Sequence, residues 1–399
     1  MLKTINNLEM RDTIQYIKYM GSKTKILPFV LDGIDEVYRG GVICDLFSGS
    51  CSLAGAIGTQ APIISNDIQS YSAVIGKAYL TDWYDSSFNA KTIIEIATNY
   101  HNKNFKQIVK GLAHQEANDL LSFNKIESLN KELISKEFNN KWHLFTKYYS
   151  GTWWSAEQCS WIDSLRKAIE DFNDNPAYNT MLASLMYAMA YNSQGTGHYA
   201  QYRDAKTDSS MKDILIYRRK SILEYFERKL ESALLQMRKK PSEYVHKVYT
   251  LDYMDCLEKV KNATIYADPP YCFVHYSRFY HAIETLVLYD YPRIQHKNNE
   301  MVKGRYREDR HQSPFSIRSK VKGAFADMFS AISDSNSSLV LSYSNTGMID
   351  IEELLQLSNE IFTHHTVKIK SLKHLHMTMG RKDDRNRTVK EKLIIVKPL

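Results

Sequence analysis

No two cysteines in this sequence are spaced C-x-x-C, and the five present (Cys44, Cys51, Cys159, Cys256, Cys272) are odd in number and scattered. That excludes a disulfide frame and a zinc knuckle, and points to reduced thiols. Long apolar runs are missing as well. The longest, Met181–Ala190, is too short to cross a bilayer. Met1 to Arg11 is polar and mixed in charge, unlike a signal peptide. His364, His365, His374 and His376 show no ligand spacing with acids or cysteines, so no metal is expected. There is no internal repeat and no low-complexity tract. A soluble, cytoplasmic protein without metal or membrane is the expectation.

What is present is an ordinary globular composition of 399 residues with a net charge of +7 and 27 tyrosines. The length suits either two domains or one domain with a large insertion. The basic balance is compatible with a polyanionic partner.

The first 80 residues alternate between strand and helix texture. "GVICDLF" reads as a buried strand, "SGSCSLAGAIG" as a tight turn opening a helix, and "APIISND" as a second strand. This alternation predicts a mostly parallel α/β sheet. Residues 81–244 read as helical. Ser155 to Gln158 fits a capping box, Ile162, Leu165, Ile169 and Phe172 mark a buried face, and 211–240 reads as one long basic helix. Strands return at "HKVYTLDYM", "NATIYADPPY" and "SSLVLSYSN", and the chain closes with an antiparallel hairpin, "HTVKIKSL" and "KEKLIIVKPL". The expected organisation is one sheet domain, 1–80 with 245–399, carrying a helical insertion at 81–244.

Two strand tips carry chemistry. After "VICDLF" the G-x-G-x-x-G and G-K-[ST] patterns both fail, and Asp45 would repel a pyrophosphate and attract a cation. Asp67 ends the next strand, where an acid grips ribose hydroxyls. An acidic, Gly-turned, non-phosphate site suits S-adenosylmethionine. Gly21-Ser-Lys23, at a helix mouth, leaves an ammonium and backbone N–H groups for a carboxylate such as that cofactor's. The second tip is Asp268-Pro-Pro-Tyr271. An exocyclic amino group on a base is a poor nucleophile until its N–H groups are accepted by well-placed oxygens. Asp268 and the Pro269 carbonyl supply acceptors, Pro269 and Pro270 hold them rigid, and Tyr271 offers a face for a flipped base.

"YMGSK", "DLFSGS", "SNDIQ", "TLDYMD" and "DPPY", in this order, resemble the Dam-like class of DNA N6-adenine methyltransferases. The resemblance covers about 16–80 and 245–399. It implies a methyltransferase-type, Rossmann-like fold, S-adenosylmethionine as cofactor, and double-stranded DNA as substrate in a restriction–modification setting, with a cognate endonuclease as a further partner and a monomeric enzyme. It implies that Tyr19, Lys23, Asp45, Phe47, Ser48, Gly49, Asp67, Asp252, Tyr253 and Asp268 hold the cofactor, and that Asp268 to Tyr271 hold the adenine. The insertion would be the target-recognition domain. One departure is Cys51 at the usual second glycine of the turn, where a Cβ is expected to crowd the cofactor.

Two basic segments, 303–320 with Arg305, Arg307, Arg310, Arg318 and Lys320, and 380–387, mix charge with aromatics or turns and are expected to contact phosphates as flexible loops. The loop 192–204, with Gln194, His198, Gln201 and Arg203, has side chains suited to reading bases. The rival readings are N4-cytosine or RNA adenine methylation, and a non-catalytic DNA-binding protein that retains a degenerate fold.

Overall fold

A computed structural model describes residues 14–82, 88–115, 117–195, 197–237, 242–271, 273, 275–344, 347–377 and 386–399. Seven strands form the main sheet: β1 (Ile43–Asp45), β2 (Ile63–Asn66), β3 (Lys247–Tyr249), β4 (Thr264–Ala267), β5 (Ser338–Ser344), β6 (His365–Met377) and β7 (Asn386–Pro398). Their order is β3-β2-β1-β4-β5-β7-β6. The first five run parallel, with Ile43 beside both Ile63 and Thr264, and β7 enters antiparallel beside β5 with Leu341 opposite Ile394. The parallel α/β sheet with its closing hairpin is as the sequence predicts.

Strand side chains alternate between faces, and the core divides accordingly. Ile43, Ile63, Val340, Leu393 and Ile395 point to one side, where they meet α1 (Leu27–Val37), α2 (Ser52–Ile57) and α3 (Ser70–Leu80). Cys44, Ile64, Leu339, Leu341 and Ile394 point to the other, against α11 (Tyr253–Leu257), α14 (Val321–Asp334) and α15 (Ile351–Ile361).

The segment between β2 and β3 also contributes α4 (Ala90–Asn104), α5 (Leu120–Lys131), α6 (Leu144–Tyr148), α7 (Ala156–Glu170), α8 (Tyr178–Asn192), α9 (Asp208–Arg218) and α10 (Ile222–Met237). The start of α7 is the foreseen capping box: Gln158 N donates to Ser155 Oγ at 3.1 Å, and Ser155 N donates to Gln158 Oε1 at 3.0 Å. The single long helix expected over 211–240 is instead two. The break at Arg219–Ser221 starts a new helix because the Ser221 hydroxyl accepts from Glu224 N at 3.2 Å. Helices α4, α6, α7, α8 and α10 share one apolar cluster with α1, α2 and α3, in which Met181 and Phe226 lie with Ile34 and Ile57, while α5 and α9 pack on a separate one around Phe123 and Ile214. Two helices that the sequence reading did not place, α12 (Tyr276–Phe279) and α13 (His281–Leu288), follow the D-P-P-Y tip. They tie it to the insertion: Tyr199 N donates to Phe279 O at 2.7 Å, and Arg166 Nε to Leu286 O at 3.0 Å.

Candidate active site

The carboxyl ends of β1, β2 and β4 open into one cleft of about 1170 Å³, part of it open to solvent, which gathers both strand-tip motifs. Parallel strands make this inevitable, since the chain leaves every strand at the same edge.

The turn after β1 is pinned to β2. Ser48 N donates to Asn66 O at 2.8 Å, and its hydroxyl lies 3.0 Å from both the Asp45 and Asn66 carbonyls. Ser48 therefore lines the cleft chiefly by shaping the turn. Gly49 has φ +50° and donates to Asp67 Oδ2 at 2.9 Å. A Cβ on it would lie 2.7 Å from Tyr19 Oη. Gly49→Ala is accordingly expected to displace the Tyr19 ring, which stacks at 4.8 Å on Tyr280, and to weaken S-adenosylmethionine binding at least about tenfold. Calorimetric titration checks this, and an unchanged affinity would detach Tyr19 and Gly49 from the cofactor site. Cys51 does not crowd the cleft. It takes the left-handed conformation at φ +55°, and its buried Sγ turns to α3, donating to Ser72 O at 3.2 Å.

Four carboxylates line the cleft, and three of them, Asp45, Asp67 and Asp268, are pushed up in pKa by burial. Asp67 accepts from Gly49 N and from Gln69 N, each at 2.9 Å. Burial still pushes it up to about 6, against those two hydrogen bonds. Behind it Glu284 of α13 accepts from Ser70 N and Tyr71 N, each at 3.0 Å, which caps α3 and fixes the Asp67–Gln69 corner. Burial, and the charges of Asp268 and Asp67, hold Asp45 well above the usual range, and its Oδ1 has no hydrogen-bond partner among the described residues. Asp268 ends β4. Burial raises it to about 6, although Lys23 Nζ stands 3.2 Å from its Oδ1.

Lys23 is the main revision to the expected roles. Its ammonium is buried between Asp268 and Glu391, the latter at 2.6 Å, so it is not open to an incoming carboxylate. Burial would lower its pKa, but the two carboxylates outweigh that and hold it well above the ordinary value.

Rings line the rest. Phe47 lies 5.8 Å from Tyr253 and 5.4 Å from Phe315. Asp252 caps α11 by accepting from Met254 N at 3.0 Å, beside Leu251 and Tyr253 in the cleft wall. Pro269, Pro270 and Tyr271 complete the opposite wall with Tyr276. His311, Ser313 and Pro314 also line the cleft, so part of the basic segment 303–320 forms its wall.

The rest of that segment is not a plain loop. His296–Lys297 and Glu300–Met301 pair as a small hairpin, and Ile294 bridges Arg307. Arg307 grips Asp290 through two bonds of 2.8 and 2.6 Å, and Arg310 Nε donates to Arg307 O at 2.9 Å. Arg305 is half-buried, with its backbone at φ +51°. These three hold the hairpin together, which counts against the expected phosphate clamp. Arg318 and Lys320 are exposed, and so is Arg203, 3.9 Å from Asp213. Gln194 cannot read bases as it stands, because its buried amide donates to Thr152 O at 2.5 Å and Arg203 O at 3.1 Å. Residues 380–385 of the second basic segment lie outside the described residues.

Sequence reading missed Glu391 and Glu284, and it expected Phe315 in the basic clamp, whereas the ring is buried behind Phe47 and Tyr253. A signal existed for the first: Glu391 is in phase with the buried Leu393 and Ile395, so it had to face inward.

The strand order and the cleft define a methyltransferase fold. The chain belongs to the D12 class N6 adenine-specific DNA methyltransferase family, whose profile matches residues 19–354. Modification methylase LlaI of Lactococcus lactis subsp. lactis is 21% identical over 364 residues, covering 89% of this chain and 50% of that relative. Modification methylase StsI of Streptococcus sanguinis is 22% identical, covering 89% and 48%. Type II methyltransferase M.FokI of Planomicrobium okeanokoites is 24% identical, covering 85% and 46%. The chain thus spans about half the length of these curated relatives. Among the described residues no helix is long and apolar enough to cross a membrane, and no cluster of potential metal ligands occurs.

Proposed function

We propose that this chain methylates N6 of an adenine rotated out of duplex DNA, using S-adenosylmethionine. The observation that carries the reading is the convergence, in one cleft, of half-buried Asp268 at the Pro269–Tyr271 tip with the turn of Gly49, Asp67 and unpartnered Asp45. The residues suit the cofactor. Asp45 offers a buried acceptor for a cationic amino group, Asp67 acceptors for ribose hydroxyls, and Phe47 and Tyr253, backed by buried Phe315, an aromatic wall for adenine. When bound, S-adenosylmethionine would supply the electrophilic methyl carbon. The protein's part is to orient the target. Asp268 and the Pro269 carbonyl accept the amino hydrogens, which frees the nitrogen lone pair, and Tyr271 presents its face to the base.

The helices between β2 and β3, close to the D-P-P-Y tip through the Tyr199–Phe279 bond, are proposed to supply target recognition, with Arg203, Arg318 and Lys320 as exposed cations for phosphates. The relatives' names support a modification role opposite a cognate endonuclease. The deciding experiment incubates the protein with duplex DNA and methyl-labelled cofactor, then identifies the labelled nucleoside by mass spectrometry. N6-methyladenine is expected. N4-methylcytosine, or no label, would overturn the reading.

The site also sets a pH dependence. With Asp67 and Asp268 raised to about 6, lowering the pH through 6 protonates both and removes negative charge that attracts the cationic cofactor. Cofactor affinity is expected to rise between pH 5 and pH 7.5 with proton release, seen by calorimetry in buffers of different ionisation enthalpy. A flat profile would show that neither group changes protonation on binding.

A further inference from the structure

We propose that Glu391 is a positioning residue of this active site: by competing with Asp268 for Lys23, it keeps the Asp268 carboxylate available to the target amino group. The inference rests on the methyltransferase reading above. Nothing in the family match reaches Glu391, because that match ends at residue 354.

Topology brings Glu391 here. It lies midway along β7, opposite Ser344, the last residue of β5. Because β7 runs antiparallel to β5, its beginning lies at the edge where β4 and β5 end. A further parallel strand would have begun at the opposite edge. At that edge Glu391 is almost wholly buried, and its Oε1 lies 2.6 Å from Lys23 Nζ and accepts from Ser342 Oγ, also at 2.6 Å.

The three charges form a line in which one ammonium serves two carboxylates, with the shorter contact to Glu391 and the 3.2 Å contact to Asp268. Without Glu391, Lys23 and Asp268 would close into a neutral pair, and the ammonium would occupy the lone pairs that the adenine amino group needs. With Glu391, two carboxylates against one cation leave one negative charge at the site. That charge opposes the positive charge which grows on the amino nitrogen as its lone pair is used. Other titratable groups around Asp268 are Asp45 from β1 and the phenols of Tyr266, Tyr271 and Tyr276. Tyr266 and Tyr276 are held well above their ordinary range by burial, so they stay neutral across the working pH. Lys23 pulls Asp268 down and Glu391 pushes it up, the directions this arrangement requires.

The test is the pH dependence of the single-turnover rate for wild type, Glu391→Gln and Glu391→Asp, with thermal melts and binding constants for cofactor and DNA. For Glu391→Gln the rate at pH 8 is expected to fall about tenfold or more, with both affinities kept within about threefold. Its acid limb is expected to move down by about one pH unit, since Lys23 then neutralises Asp268 alone. Glu391→Asp keeps the charge, so its limb should stay close to wild type even where the rate drops. If the glutamine variant does not fold, the aspartate variant is decisive, because a downward shift there excludes charge as the cause. An unmoved limb in Glu391→Gln overturns the proposal, whatever the rate. Wild-type protein that forms no N6-methyladenine would instead overturn the function on which the proposal rests.

Discussion

Asp268→Ala is expected to abolish methyl transfer while fold and DNA binding persist. Removing one preorganised acceptor typically costs about 10²–10³ in rate, and this acceptor also orients the base. The fold should tolerate the change for a specific reason. Lys23 keeps Glu391 at 2.6 Å, so no buried ammonium is stranded. The lost carboxylate is itself disfavoured by burial, which raises it to about 6, so its removal relieves a cost at neutral pH. A melting temperature equal to or above wild type is therefore expected. Asp268→Asn should be nearly as inactive, because one of its two positions becomes an N–H donor facing the amino group. Single-turnover measurements with methyl-labelled cofactor decide the matter, and a rate within tenfold of wild type would remove Asp268 from the chemistry.

Arg218→Ala is expected to produce the largest loss of stability, about 3–5 kcal/mol, because it strands a buried carboxylate. Arg218 donates to Glu127 through Nε at 2.8 Å and Nη2 at 3.0 Å, and to Thr152 O at 2.7 Å. These bonds join α9 to α5 and to the turn before α7. Burial would push Glu127 up, but Arg218 and His114, 2.7 Å away, bring it down to about 2. A depressed carboxylate contributes stability that is present above its unfolded pKa and lost as pH falls through the folded one. The gap between wild type and variant should accordingly be full at pH 7 and shrink from about pH 4.5 toward 2. Denaturant melts at pH 7 and pH 3 measure it. An equal gap at both would mean that Arg218 acts through packing alone.

Much of the architecture was legible because its signals are local. The buried run "VICD", the Gly49 turn and the D-P-P-Y tip each declare a strand end within a few residues, and parallel strands bring such ends to one edge. The capping box at Ser155 was readable for the same reason. The long helix over 211–240 misled because periodicity continues across Arg219–Ser221, and only the hydroxyl of Ser221 marks the restart. Cys51 misled in another way. Its position in the turn was correct, but the direction of its side chain depends on a left-handed backbone that no residue count reveals.

By itself the sequence determined the order of the seven sheet strands along the chain, the two chemical tips and the acidic, phosphate-excluding character of the first, because these follow from residue type and short-range spacing. Tertiary structure alone decided which charges meet. It gave Lys23 to Asp268 and Glu391 rather than to a ligand, gave Arg307 to Asp290, and turned Gln194 inward. The physical reason is that an ion pair's partner is set by burial and chain direction. Glu391 lies 368 positions from Lys23, and only an antiparallel last strand carries it back to the edge where the chemistry sits.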